Sequence, residues 1–178
     1  MADYQTSIPE GLRNLVPTGF EERMGHFREI GYIQSLDYTP RGILIKLSKN
    51  ADTVSFFTSL KNEFPPIHFT TITASDLNDK IELQYNLLHD FTLTLDVVVD
   101  VSVSTENKRP ETISITSVLP AAEIYEREVK DLFGVDFIGL PHPQRLILPD
   151  EWPENTYPLK KNYVIKSPAG KAKQNGTI

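Results

Sequence analysis

The chain has 178 residues, of which 39% are hydrophobic and 24% are charged, values ordinary for one soluble globular domain with room for an appendage. It contains no cysteine, which excludes disulfides, a cysteine nucleophile and thiolate ligation of zinc or an iron–sulfur cluster by this chain. The formal net charge of −6 argues against general nucleic-acid binding. No apolar run approaches the ~20 residues that cross a bilayer, and the N-terminus lacks the pattern of a signal peptide, so a cytoplasmic location is expected.

The first predicted elements are a helix and a β-hairpin. Residues 1–17 are expected to form a loose N-terminal segment. A helix is predicted over 18–30, because Thr18 and an acidic residue three positions later have the spacing of a capping box. Two strands, at 32–38 and 42–47, flank residues typical of a turn and therefore predict the hairpin.

A second helix and three strands complete the predicted body. Asp52 is a suitable N-cap for a helix that ends near residue 62. Strands are predicted at 67–73, 80–88 and 91–103, the last with apolar residues at alternate positions. The fold class is therefore α+β, with a mixed or antiparallel sheet and helices packed on one face.

A charged stretch, EREVKD, lies within the last predicted helix, which begins at Pro120 and ends before Gly134. On a wheel of ~100° per residue, Glu126 and Glu128 lie just beyond the two edges of an apolar arc of roughly 120°. The arc is predicted to face the core and consists of Ala121, Ala122, Tyr125, Val129, Leu132 and Phe133.

Arg127 faces away from this core stripe, with Asp131 one turn later and able to pair with it. Three interpretations stay open for the charged stretch. It is a solvated face with i,i+4 pairs of ~0.2–0.5 kcal/mol each, or a surface that docks into a partner through charge-assisted pairing. The third is an acid–base site using Glu126, Arg127 and Glu128, for which no nucleophile, histidine or metal-ligand partner stands at useful spacing.

The segment that follows, 135–165, combines many prolines with apolar and aromatic residues, so it is predicted to be a long extended arm that lies on its own domain or on a neighbour. Trp152 is expected to be an interface anchor. Arg145, Lys160 and Lys161 are plausible partners for acidic groups on a second protein. Residues 166–178 are expected to be a flexible tail.

Four short stretches of the sequence resemble a known family. The letters YERE at 125–128, LFGV at 132–135, RLI at 145–147 and YPLKKNY at 157–163 are similar to the signature of the 30 kDa subunit of respiratory complex I. The sequence departs from the family pattern at Ile124, where the family has Trp, and at Lys160 and Asn162, where the family has Arg and Asp. The insert at 148–154 is more similar to archaeal and hydrogenase-type relatives than to mitochondrial ones.

This resemblance implies an α/β domain, 18–134, followed by the arm. It implies a non-catalytic subunit of the quinone module, without flavin, metal or cluster of its own, that binds and stabilises a hydrogenase-like large (49 kDa type) subunit. A small iron–sulfur subunit is the other implied partner. The partners are expected to carry the iron–sulfur clusters and, in a hydrogenase-type complex, a nickel–iron site.

The implied location is peripheral, on the cytoplasmic side of the cytoplasmic membrane, in a complex that couples electron transfer to proton or sodium pumping. Three complexes stay open: NADH–quinone, F420H2–methanophenazine and a membrane-bound energy-converting hydrogenase. A stand-alone soluble adaptor and an acid–base enzyme are the alternatives. The predicted partner-binding residues are Glu126, Arg127, Glu128, Asp131, Arg145, Trp152, Lys160 and Lys161.

Overall fold

A computed structural model describes residues 8–102 and 109–164 of the chain. Within those residues, three α-helices and seven strands follow a short 3-10 helix at Glu10–Leu12. In chain order they are α1 (Phe20–Glu29), β1 (Ile33–Thr39), β2 (Gly42–Leu47), α2 (Thr53–Glu63), β3 (Ile67–Asp76), β4 (Lys80–His89), β5 (Leu93–Ser102), β6 (Glu111–Ile113), α3 (Ala122–Phe133) and β7 (Asp136–Ile138).

Five strands form one mixed sheet in the order β1-β2-β5-β4-β3. The pair of β2 and β5 is parallel, with Ile45 opposite Val97, and the other three pairs are antiparallel. The parallel pair arises because β2 is followed by α2 and by two strands before the chain returns as β5. This arrangement confirms the predicted α+β class, and of the two kinds of sheet left open by the sequence, mixed or antiparallel, the sheet is mixed.

The helices cover one face of the sheet. Tyr85 of β4 is fully buried and packs its ring against Phe57 of α2, with centroids 5.2 Å apart. Phe69 of β3 stands opposite Leu87, which is on the same face of β4 as Tyr85, and packs against Tyr125 of α3 at 5.4 Å. Because α1 packs on α2, all three helices share this face and enclose the core, as predicted.

The opposite face of the sheet carries charged side chains in ion pairs. The Lys46 Nζ lies 3.0 Å from a Glu82 oxygen and 3.3 Å from an Asp100 oxygen, and the Lys80 Nζ lies 2.7 Å from the other Asp100 oxygen. Burial alone would raise the pKa of Asp100, but the hydrogen bonds and charges of the two lysines lower it below its usual value. Asp100 is therefore held ionised between two cations.

Two predicted boundaries differ at turns. Thr18 is not the N-cap of α1, because the Phe20 N–H bonds the Pro17 carbonyl and closes a turn that contains Thr18. The cap is Gly19, at φ +78°, with no side-chain hydrogen bond. β5 begins later than predicted because Asp90 and Phe91 both adopt positive φ in the turn before it.

Other predictions are confirmed or fall outside the described residues. Asp52 caps α2 as expected, its Oδ1 accepting the Ser55 N–H at 3.0 Å. The short strand β7, which pairs in parallel with β6, is not evident from the sequence pattern.

Residues 103–108, which include most of the polar loop before β6, lie outside the described residues. Among the helices that are described, none is long and apolar enough to cross a membrane.

Candidate functional site

The charged stretch lies on α3, which begins later than predicted. The N–H groups of Ala122 and Glu123 bond the carbonyls of Leu119 and Pro120, so the chain makes a turn before the helix starts. The helix ends as predicted at Gly134, which is left-handed at φ +74°. A Cβ at Gly134 would lie within 2.4–2.7 Å of the Tyr157 ring, so the C-terminal segment packs directly on this end of the helix.

The burial of α3 confirms part of the predicted core stripe. Ala122, Val129 and Phe133 are buried. Ala121 is exposed, contrary to prediction, because it precedes the first helical residue. Glu126 has 0% relative exposure and lies inside the core rather than just beyond the edge of the stripe.

Glu126 is buried because it satisfies the backbone of the segment that precedes α3. Its Oε1 accepts the Ile115 N–H at 2.9 Å, next to the buried hydroxyls of Ser114 and Thr116, which are 2.7 Å apart. Its Oε2 and the Tyr85 hydroxyl are both buried and have no hydrogen-bond partner in the part of the chain that the structure describes. The Glu126 carboxyl therefore ties α3 to the residues before it.

Burial raises the pKa of Glu126 to about 7, and the charge of Glu123 contributes in the same direction. The Ser114 hydroxyl and the Ile115 N–H oppose this shift because they favour the ionised carboxylate. Burial also raises the pKa of Tyr85, and the Glu126 charge adds to it. A carboxyl with a pKa near neutrality suits general acid–base chemistry, but this one has no exposed surface through which a substrate could reach it.

Arg127 and Asp131 do not form the predicted ion pair, because each bonds the backbone of the C-terminal segment instead. The Arg127 Nε donates to the Gln144 carbonyl at 3.0 Å, and its Nη2 donates to the Arg145 carbonyl at 3.1 Å. The Asp131 Oδ2 accepts three successive N–H groups, from Leu146, Ile147 and Leu148, at 2.7, 2.8 and 3.3 Å. We call these contacts the α3 clamp.

The other predicted partner-binding residues lie at scattered places on the C-terminal segment. The Arg145 Nη1 donates to the Pro149 carbonyl at 3.0 Å, and the Trp152 Nε1 donates to the Thr156 carbonyl at 2.8 Å. The Lys160 Nζ lies 5.5 Å from the centre of the Tyr157 ring. The partner-binding role of these residues stays a prediction.

The end of the segment reaches the β3–β4 turn, and one charge of α3 stays unpaired. The Lys161 backbone N–H donates to Asp76 at 2.9 Å. Glu128 is half-buried and forms no hydrogen bond or ion pair within the described ranges. No group of three or more His, Asp or Glu residues in those ranges is placed to hold a metal ion.

A solved structure shares this fold. A chain of the membrane-bound sulfane sulfur reductase, an archaeal respiratory membrane complex, aligns with 91% of this chain and 100% of its own length. The TM-score is 0.64 and the sequence identity is 23%. At this identity the likeness establishes the fold.

Residues 47–169 match the family described as the 30 kDa subunit of respiratory-chain NADH dehydrogenase. The NADH-quinone oxidoreductase C subunit of Moorella thermoacetica is 31% identical over 119 residues, which are 66% of this chain and 77% of that protein. The chain therefore belongs to the family of the complex I 30 kDa subunit, and the resemblance stated from its sequence is confirmed. It is related to the subunits of complex I-like assemblies.

Two further relatives are much longer than the region they share with this chain. Formate hydrogenlyase subunit 5 of Escherichia coli is 45% identical over 64 residues, 36% of this chain and 11% of that protein. The NADH-quinone oxidoreductase C/D subunit of Chromohalobacter salexigens is 35% identical over 109 residues, 61% of this chain and 16% of that protein. Most of each relative therefore has no counterpart in the matched region.

Proposed function

We propose that the chain is a non-catalytic subunit of the peripheral quinone module of a complex I-like oxidoreductase, where it binds and stabilises the hydrogenase-like large subunit. Family membership supports the general role. The buried position of Glu126 and the internal contacts of Arg127 also argue for structural work by the charged stretch rather than catalysis.

The observation that carries the proposal is the C/D relative. Its name joins two subunits in one polypeptide, and the matched region is only 16% of its length. In Moorella thermoacetica the matched protein is the C subunit alone, and the match covers 77% of it. A domain that is joined to a second subunit in one organism and separate in another is expected to associate with that subunit where the two are separate chains.

The proposed division of labour follows from the composition. A chain without cysteine offers no thiolate ligand for an iron–sulfur cluster. We therefore assign the clusters to the partners, including a small iron–sulfur subunit, and place the assembly on the cytoplasmic side of the membrane, where it would drive proton or sodium translocation. The electron-transfer chemistry then belongs to the large subunit and its neighbours.

Among the three complexes, the hydrogenase type is favoured by the 45% identity to formate hydrogenlyase subunit 5, although that match covers 64 residues. NADH–quinone and F420H2 dehydrogenases are the other two. Nickel determination on the purified complex separates the hydrogenase type from the other two, because a nickel–iron centre is expected in the hydrogenase type alone.

The test is affinity purification of the tagged full chain from native membranes, followed by mass spectrometry and metal and flavin analysis. We expect a hydrogenase-like large subunit and an iron–sulfur subunit in stoichiometric amounts, and no chromophore on the chain by itself. Purification without these partners would favour the adaptor function, and stoichiometric flavin or iron on the isolated chain would overturn the proposal.

Glu128 offers a residue-level test, since its carboxylate is unpaired in the described residues. We expect Glu128→Ala to weaken association with the large subunit about tenfold, the loss of one charge-assisted hydrogen bond. The matched control is Glu22→Ala, at an exposed glutamate on α1 that is far from Glu128 in sequence. This variant should bind like the wild type. Equal affinities for both variants would remove Glu128 from the interface.

A further inference from the structure

The α3 clamp turns the polar side of one short segment inward. Three N–H groups, from Leu146 to Leu148, converge on one oxygen of Asp131, and two preceding carbonyls bond Arg127. These are backbone groups that water would satisfy equally well in an exposed segment. Asp131 itself is only 7% exposed, so its charge is committed to this contact.

The consequence is that apolar side chains point outward. Leu146 is 39% exposed and Ile147 is 52% exposed, although both are held close to α3 by their backbones. Ile124, 59% exposed, lies one turn before Arg127 on the same side of the helix. Two adjacent exposed aliphatic residues on a backbone that is fixed at five points are typical of a surface prepared for a protein partner.

Charged residues neighbour this pair and the clamp along the chain. Glu128, unpaired in the described residues, is on the turn between Arg127 and Asp131, and Arg145 directly precedes Leu146. An apolar centre with a charged rim is the usual anatomy of a protein–protein interface.

We propose that Leu146 and Ile147 are the apolar anchors by which the chain holds the hydrogenase-like large subunit, and that Asp131 and Arg127 are positioning residues that present them. This inference rests on the proposed function. The large subunit is the occupant we assign because the domain shares one polypeptide with a second subunit in the C/D relative. The matched family region, 47–169, includes the whole clamp.

The test measures the affinity of the purified full chain for the rest of the complex, large subunit included, after the native chain has been stripped from it. For Leu146→Ser/Ile147→Ser we expect a loss of about 100-fold, roughly tenfold for each side chain that is no longer buried. The melting temperature of the free chain should stay close to that of the wild type, because both side chains are exposed in it. Ile30→Ser, at a 49% exposed isoleucine after α1, is the matched control and should bind normally.

Asp131→Asn tests the positioning role. The neutral amide should loosen the segment, so we expect faster hydrogen exchange at residues 146–148 together with weaker binding. The double serine variant should keep slow exchange there while losing affinity. Faster exchange in Asp131→Asn with unchanged affinity would overturn the positioning role.

The outcomes separate the two proposals. If the wild-type chain does not bind the large subunit, the proposed function fails. If the wild type binds and the double serine variant binds equally well, the anchor inference fails while the proposed function stands. A third outcome would assign the surface to a second copy of the chain and overturn the inference. In it, the wild type is a dimer by sedimentation and the double serine variant is not, while both bind the large subunit with the same affinity.

Discussion

The buried carboxyl of Glu126 makes the stability of this chain depend on pH in a way that one substitution can isolate. Glu126→Gln keeps the size of the side chain and its carbonyl oxygen, which can still accept the Ile115 N–H. It removes the charge and places an amide N–H₂ where the unpaired Oε2 stood, near the unpaired Tyr85 hydroxyl. The variant therefore tests the cost of ionising this site.

The size of the effect follows from the change in pKa on folding. The pKa of Glu126 is about 7 in the folded chain, against 4.5 for a free glutamate. Below pH 4.5 both states are protonated, and between the two values only the unfolded state ionises. Wild-type stability therefore falls as pH rises through this window and levels off above pH 7. A difference of roughly 2.5 units at ~1.4 kcal/mol each amounts to about 3 kcal/mol.

The assay is urea unfolding of the full chain at several values between pH 5 and pH 8. The free energy of unfolding of Glu126→Gln, relative to wild type, should rise by about 2–3 kcal/mol over this range. Glu128→Gln is the control for removing a carboxylate from the same helix, because Glu128 has no polar partner in the described residues. A difference for Glu126→Gln that does not change with pH would refute the assignment of a raised pKa to this carboxyl.

Two further predictions concern stability alone. Gly134→Ala should lower the melting temperature by roughly 2–8 °C, since a left-handed alanine costs ~1–2 kcal/mol and its Cβ also displaces Tyr157. Gly25→Ala, inside α1 with open space around it, should raise the stability by about 0.5–1 kcal/mol, and equal effects at both glycines would contradict this reasoning. Asp52→Ala should cost about 1 kcal/mol in urea unfolding by removing the cap on Ser55, and this cost should shrink in acid, because the same hydrogen bonds lower the pKa of Asp52. An undiminished cost at pH 3 would argue against the charged cap.

The sequence is most informative where a repeating pattern is long. β4 alternates half-buried and buried residues from Lys80 to Leu88 and β5 does so from Leu93 to Val97, and the matching alternation of residue types is what predicts the sheet. Strand β7 has three residues, too few to show a period, and its partner β6 is equally short. Its pairing depends on a contact distant in sequence, which no local pattern reveals.

The burial of Glu126 also cannot be predicted from local sequence patterns. A helical wheel assigns residues by hydrophobicity, so it places a carboxylate outside the core stripe. The structure buries that carboxylate because the Ile115 N–H needs an acceptor, and this need arises from the irregular segment before α3. One signal is available in the sequence, namely the polar residues Ser114 and Thr116 on either side of Ile115, both of which are buried.

The charged stretch therefore connects α3 to two other segments of the chain. Its inner side is tied by Glu126 to the segment that precedes α3, and its outer side is tied by Arg127 and Asp131 to the segment that follows. These charges, which suggest a docking surface in the sequence, are largely occupied within the chain and leave Glu128 unpaired in the described residues. Since saturated charges contribute little new energy to an interface, recognition of a partner is expected to depend on the apolar side chains that the clamp holds outward.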